Sequence, residues 1–469
     1  MKKIALLAFA AGLGFAFAGG VDNKTNLNQG YMRNPSRNTE TLRPEAVFYN
    51  IGGTAFMNDG LYFELGNQFV LKNYADKLDG QKFEDDENVY FYPNAEVVYK
   101  KDNWAAFFGF GVFGGGGTLD YSDGTGLTSL ALKQGMASAV TAKVTAAVMA
   151  GKLPPAQSKA YAQKLLEQLS SHSLEVYSVQ LGEILGASYK INDMVSVAAA
   201  GRFMHGEQNI TLKCDGLKSV NGGSSKIGYE SNGYGFGGIF GVHIKPWNTL
   251  DVGIQYQTIT KLKYKYDDLT GAYASSFLNA DEGDNFKNDL PAVLNLGVGY
   301  TFFDKLNASM SFNYYFNKQA TIESPIDRSE YDYDDSWEIA LGADYRLNEQ
   351  LSFGTGFSYG KQGAKYDVNN VFSPVLDNFV IGVGVEYSPV KLVTISGSAM
   401  YCKYFSEDYK KAGYTMELSK DVVMLALGVT VKPSGLATSR AADAKFSLSL
   451  LRAAFSFVVP AAPIESLCF

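Results

Sequence analysis

The side chains able to do bond-making chemistry are few and dispersed. The chain has three histidines, His172, His205 and His243, and three cysteines, Cys214, Cys402 and Cys468. A Ser-His-Asp triad or a metal centre needs such groups to converge, and each histidine falls in a different predicted element. The cysteines are odd in number and far apart, so they form no disulfide framework. The inventory therefore predicts no enzyme, no metal and no cofactor. What remains is recognition chemistry. Arg33, Arg37 and Arg43 lie close together near the N-terminus, and Arg202 stands in a segment of small and apolar residues. A guanidinium pairs in fork geometry with a carboxylate. These four can therefore meet either an acidic head group or acids of the chain itself, such as Glu64 and Glu96, and the internal pairing is the expectation. A second set is apolar. Leu130, Met136, Val140, Val144 and Val148 recur at helical spacing, as do Tyr161, Leu165 and Leu169, which suits a greasy groove for an apolar ligand.

The elements that must position these residues are strands. From Tyr234 to Gln257 large apolar residues alternate with small or polar ones on both sides of a Lys-Pro-Trp-Asn-Thr turn. A period of two means strand, and about ten residues per arm is the length of a tilted strand crossing a bilayer. Fourteen such strands follow in pairs from Leu61 to Val431. Short connections of two to five residues alternate with long ones, including 72–88, 114–176, 206–233 and 258–293. Short turns on one side, long loops on the other and an even strand count are the pattern of an outer-membrane barrel. The fold class expected is all-β: a 14-stranded antiparallel transmembrane β-barrel spanning 58–432.

Composition agrees. Gly (49), Tyr (30) and Phe (31) are abundant, which suits aromatic girdles outside and small residues inside. A net charge of −7 argues against a nucleic-acid partner. Lys2 and Lys3, the apolar run Ile4–Phe15 and Ala16-Phe17-Ala18 read as a signal peptide over 1–18. No later run of 18 apolar residues is present, which excludes helical spans.

Residues 19–57 are rich in turn formers and do not read as strand. A segment of this length and texture is expected to fold into the lumen as a plug, with Arg33, Asn34, Pro35, Arg37, Asn50, Gly52 and Gly53 as its plug or gate residues. The predicted lumen face is small and polar, with Gly237, Gly241, Gly297, Gly299, Gly342, Gly382 and Gly384, and few charges. That leaves room for a plug rather than a wide wet pore. Strict alternation would place Glu183 in lipid, so a bulge near Gly182 is expected to turn it inward. Residues 126–171 read as two helices in the third outer loop, the second opened by Pro154 and Pro155. Just before them, the glycines of the third strand, Gly109, Gly111 and Gly114, favour a kink that opens the wall sideways. From Pro433 the pattern stops; 433–469 reads as an atypical, poorly ordered tail that is either an extension or a frame change.

In its order of parts the chain resembles the outer-membrane long-chain fatty-acid and hydrocarbon transporters of the FadL/TodX type. The resemblance rests on Ala46-Val47-Phe48-Tyr49-Asn50-Ile51-Gly52-Gly53, similar to the plug motif of that family though with Ile51-Gly52 where it has Pro-Ala. Tyr92-Pro93-Asn94, the glycine-rich third strand, the helical third loop and the strand count also agree, over about 19–432. The resemblance implies a passive path: capture of a hydrophobic molecule by the helical loop, transfer to a plugged lumen, and sideways release at the third strand. Implied partners are fatty acids or hydrocarbons and outer-membrane lipid, with the protein a monomer and Arg202 as the candidate for an acidic head. A general diffusion porin is the main alternative reading, ahead of an adhesin or a barrel enzyme.

Overall fold

In the computed structural model the described residues are 27–432, apart from 79, 222, 272–273, 276–279, 326–327, 329, 364–374 and 412–413. The expected signal peptide, the start of the expected plug and the tail 433–469 lie outside them.

Fourteen strands form the wall: β1 Gly60–Leu78, β2 Pro93–Lys101, β3 Trp104–Tyr121, β4 Ser173–Lys190, β5 Val195–Lys213, β6 Lys226–Trp247, β7 Leu250–Gln257, β8 Ala292–Phe302, β9 Leu306–Phe316, β10 Ser336–Arg346, β11 Leu351–Lys361, β12 Asn378–Val390, β13 Val393–Tyr404 and β14 Tyr414–Val431. Each pairs antiparallel with its chain neighbour, and β1 closes on β14 from Phe63↔Val431 to Leu78↔Met416. Closure leaves no unpaired edge, which a bilayer would not tolerate. Burial alternates along the strands as the sequence period requires. Tyr234, Phe236 and Phe240 of β6 face outward and are exposed, while His243 between them and the turn is buried inside. The turn between β8 and β9 is tight, with Phe303 and Asp304 both at left-handed φ values of 52° and 55°, the signs a type I′ hairpin requires.

On the long-loop side several strands outrun the membrane. β6 continues beside a short strand, Lys263–Thr270, reached from β7 through the irregular segment 258–262. Helices α3 (Gly126–Met149), α4 (Ser158–Gln168) and α5 (Asp215–Asn221) cap this side. Within the barrel, residues 27–57 form α1 (Gln29–Arg33), α2 (Ala46–Tyr49) and a 3-10 helix, Ile51–Phe56, nearly all buried.

One expectation is overturned. Glu183 faces outward and is exposed, between buried Gly182 and Ile184. The β3–β4 register runs unbroken through Phe110↔Glu183 and Gly111↔Gly182. The irregularities lie on the opposite strand, between Val112 and Gly114 and between Gly114 and Gly117. A bulge re-aims the strand that carries the extra residues. Only β3 has glycines that can absorb it, Gly115 and Gly117, at φ 83° and 77°. β4 stays regular, and its carboxylate stays on the lipid face.

Candidate functional site

The plug is fastened to the wall by charge at one end and by neutral hydrogen bonds at the other. The α1 end carries the arginines. Arg33 Nε lies 3.0 Å from Asp344 of β10, and its Nη1 lies 2.5 Å from Glu386 of β12. Arg37 reaches Asp344 at 2.9 Å and Glu45 of the plug at 3.1 Å. Arg43 pairs with Glu386 at 2.5 Å and Glu40 at 3.2 Å. Asn34 adds a bond from Nδ2 to Asp344, 3.0 Å. The internal pairing expected for these arginines is present, but its acids are Asp344, Glu386, Glu40 and Glu45 rather than Glu64 and Glu96. The ion pairs alternate in sign, and those of Arg33 and Arg37 with Asp344 and of Arg43 with Glu386 and Glu40 are also charge-assisted hydrogen bonds, which holds the buried charges in low-dielectric surroundings. Burial dominates Glu45, whose carboxyl is pushed up to about 7 despite Arg37. Burial also raises Glu40, but Arg43 and Arg37 outweigh it and hold that carboxyl below the usual range.

At the other end Asn50 donates from Nδ2 to His243 Nδ1, 2.9 Å, and His243 Nε2 meets Asp251 at 3.0 Å. The amide on Nδ1 sets the tautomer, so Nε2–H donates to the carboxylate. Gln255 accepts from Ile51 N at 2.9 Å and donates to the Phe48 carbonyl at 3.0 Å. Ser196 donates to the Gly52 carbonyl, 2.7 Å. Close approach explains two plug glycines: a Cβ on Gly52 would stand 2.9 Å from the His243 backbone nitrogen, and one on Gly53 2.2 Å from the Glu40 carbonyl. Wall glycines serve the same purpose. A Cβ on Gly342 would stand 1.7 Å from Asn34 Oδ1. Pro35 lines a cavity of about 20 Å³, with Tyr31, Phe48 and Tyr315. On the short-turn side a polar cavity of about 190 Å³ lies between the plug loop, including Arg37 and Arg43, and Lys245, Asp251, Lys305 and Arg346.

Sequence reading missed His243 and Gln255 as plug contacts, and Asp251 as the carboxylate behind His243. A signal was present: a histidine and a glutamine project from glycine-lined inner faces, where only a contact from inside the barrel requires large polar groups.

Arg202 of β5 is 4% exposed. Its guanidinium donates to Thr260 Oγ1 from Nε (3.0 Å) and Nη2 (2.6 Å), to Gln257 Oε1 (2.6 Å) and to the Thr258 carbonyl (3.3 Å). These acceptors are all neutral, and among the described residues no carboxylate lies in ion-pair contact with it. The ring of Phe113, in the β3 bulge, lies 5.9 Å from the Arg202 guanidinium and 5.9 Å from Phe48 of the plug. The bulge, the cation and the plug therefore meet at one place. Of the three glycines expected at a side opening, only Gly114 belongs to the bulge. Gly109 lies in regular strand against Val47 and Phe48, and Gly111 pairs regularly with Gly182.

The helical lobe closes on itself. Met136, Val140, Val144, Leu165 and Leu169 are buried in one cluster with Leu217 and Val220 of α5. Leu130, Val148 and Tyr161 are half-buried at its margin. An amphipathic pair in water buries its apolar faces together, so most of the candidate capture residues are core and the margin is what a ligand meets first. The lobe is pinned to the barrel by Asp76 of β1, which accepts from Gly126 N at 3.1 Å, and by His172, 2.6 Å from Thr128. Burial pushes the His172 imidazole below its ordinary range, so at neutral pH it acts as a neutral hydrogen-bonding strut.

The family model described as outer membrane protein transport protein (OMPP1/FadL/TodX) matches residues 158–434. Among solved structures the chain is similar to a FadL homologue of Pseudomonas aeruginosa, with a TM-score of 0.63 and 14% identity over 89% of this chain and 99% of that one. The Pseudomonas putida toluene transporter TodX gives a TM-score of 0.61 and 15% identity over 88% and 100%. The Ralstonia pickettii toluene transporter TbuX gives 0.57 and 15% over 88% and 100%. No curated protein matches by sequence. The chain belongs to the OMPP1/FadL/TodX family of outer membrane transport proteins.

Proposed function

We propose that this channel takes up hydrophobic compounds carrying an acidic head, of the long-chain fatty-acid class, without an energy source. The observation that carries the reading is Arg202: a buried guanidinium held by neutral oxygens, with no carboxylate in ion-pair contact among the described residues. Burying a cation in this way is unfavourable unless an anion joins it, and a ligand carboxylate would supply one. An alkyl chain attached to that head would lie against Phe113 and the plug's Phe48. The route runs from the half-buried margin of the helical lobe to Arg202, then sideways into lipid at the β3 bulge, where extra residues already disturb pairing with β4. A cargo more soluble in lipid than in water gains from leaving through the wall rather than through the polar cavity beneath the plug.

A second reading, a neutral aromatic cargo, is favoured by the buried rings of Tyr229, Tyr264, Tyr266 and Phe286 on the outer inner wall and by the toluene transporters to which the fold is similar. Uptake of radiolabelled oleate and of radiolabelled toluene by cells whose only transporter of this kind is the present chain separates the two. Oleate uptake above an empty-vector control, lost in Arg202→Met, is expected; toluene uptake alone would favour the second reading.

A further inference from the structure

Gln180 of β4 points inward and is fully buried, at 0% exposure. Its strand partner is Gly114, which stands between the two irregularities of β3. A Cβ on Gly114 would lie 2.5 Å from Gln180 Oε1 and 3.3 Å from Cδ. The amide therefore reaches across from β4 and rests on the bulge from the lumen side, and only glycine leaves room for it. Phe113 covers the next inward position of β4 in the same way, since a Cβ on Gly182 would lie 2.5 Å from its ring. Two side chains thus close the inside of the stretch where pairing between β3 and β4 is disturbed.

They are held differently. Phe113 is wedged beside Phe48 of the plug and the Arg202 guanidinium, each 5.9 Å away. The Gln180 amide meets the Tyr264 hydroxyl at 3.3 Å, across 84 residues of sequence. A phenol both donates and accepts, so this contact holds whichever way the amide is turned. Tyr264 itself is fixed. Its ring stacks on Phe286, with centroids 5.2 Å apart and an interplanar angle of 12°. It also lies on the bare backbone of Gly206 and Gly233, where a Cβ would stand 1.9 Å from the hydroxyl and 2.8 Å from the ring. Those two glycines are register partners of β5 and β6. A rigid post thus holds the end of a flexible side chain. One neutral hydrogen bond shifts an equilibrium by roughly 2–10-fold, enough to keep the amide in place and little enough for a passing chain to displace it.

We infer that Gln180 is the inner shutter of the side exit and that Tyr264 is its positioning residue. This role presupposes release at the β3 bulge, the reading proposed above. With the amide on Gly114 the exit is closed next to the Phe113 ring, against which the alkyl chain lies. Outward passage requires the amide to leave Gly114, and that movement breaks its bond to Tyr264.

The test uses cells whose only transporter of this kind is the present chain, with two readouts. A diazirine-bearing palmitate, photolysed during uptake and mapped by peptide mass spectrometry, reports whether cargo passes the bulge. The initial rate of radiolabelled oleate uptake reports how freely it passes. Label is expected on 112–117 or 178–182 of the wild type. Tyr264→Phe keeps the ring and removes the hydroxyl, and should raise the rate roughly 2–10-fold. Gln180→Ala should raise it at least as much, and Tyr264→Phe should add nothing in the Gln180→Ala background, because the hydroxyl acts only through the amide. Heat-modifiable gel migration identifies the variants that fold, and Gln180→Met, of similar length without the hydrogen bond, replaces Gln180→Ala if the latter does not. Label at the bulge with wild-type rates in the single variants overturns the inference and leaves side release standing. Additive effects of the two substitutions overturn it as well, since Tyr264 would then act on its own. Absence of label at the bulge of the wild type overturns side release itself, and the shutter with it.

Discussion

Arg33 in the plug and Asp344 on β10 lie 3.0 Å apart, both largely shielded from water, and this pair joins chain segments 311 residues apart. Asp344 also takes Arg37 and Asn34, so one wall carboxylate anchors three plug side chains. Removing one partner of a buried pair costs about 3–5 kcal/mol, since it strands the other charge. Asp344→Asn is therefore expected to loosen the plug by about 3 kcal/mol or more, read as faster hydrogen exchange over 27–57 and as conductance in planar bilayers where the wild type is closed. Unchanged exchange would show that the neutral bonds at Asn50 and Gln255 suffice.

Plug seating should depend on pH through Glu45. Burial raises this carboxyl from 4.5 to about 7 in the seated plug, while an unseated Glu45 keeps its ordinary value. The seated state therefore binds its proton more tightly. Its contribution is intact below pH 4.5 and is lost as pH rises through 7. Protection of plug amides should fall between pH 5.5 and 8, and Glu45→Gln should flatten that slope. Parallel slopes in the two proteins would assign the dependence to another group.

Arg202→Met keeps the stem volume and removes the charge. The expected result is loss of most oleate uptake, with uptake of a neutral hydrocarbon little changed, because only the acidic head uses the guanidinium. Equal loss of both cargoes would mean that Arg202 acts by holding Thr258 and Thr260 in place.

Glu183 is a charged group on a lipid-facing position of β4, where a carboxylate destabilises a barrel by less than the 2–4 kcal/mol of a basic residue. Glu183→Leu should therefore stabilise the barrel, by about 1–2 kcal/mol in urea titration of protein refolded into bilayers. A destabilised variant would show that the carboxylate has a partner in the membrane.

The membrane part of the barrel was legible because inside and outside differ there, so residues such as Ile381, Val383 and Val385 alternate with Gly382 and Gly384. The outer extensions were not. In Gly206–Lys213 the outward positions Glu207, Asn209 and Thr211 face water, and the contrast that marks a strand fades although pairing with β6 continues. Helical period revealed the lobe, yet not that α5 would pack against both of its helices. The plug's arginines were legible as recognition groups. Their partners were not, because Asp344 and Glu386 are brought to them only by barrel closure. Glu183 misled because alternation locates a misfit but not the strand that bulges. The glycines of β3 were the better guide to where the bulge lies.

Sideways release at the β3 bulge is the central claim, and a reversible lock tests it most directly. Gly114 and Gln180 are paired across β3 and β4 beside the bulge, a spacing that a disulfide spans. In the Gly114→Cys, Gln180→Cys protein, oleate uptake should fall to the empty-vector level when the pair is oxidised and return on reduction. Uptake that is the same in the oxidised and reduced protein would contradict release through this part of the wall.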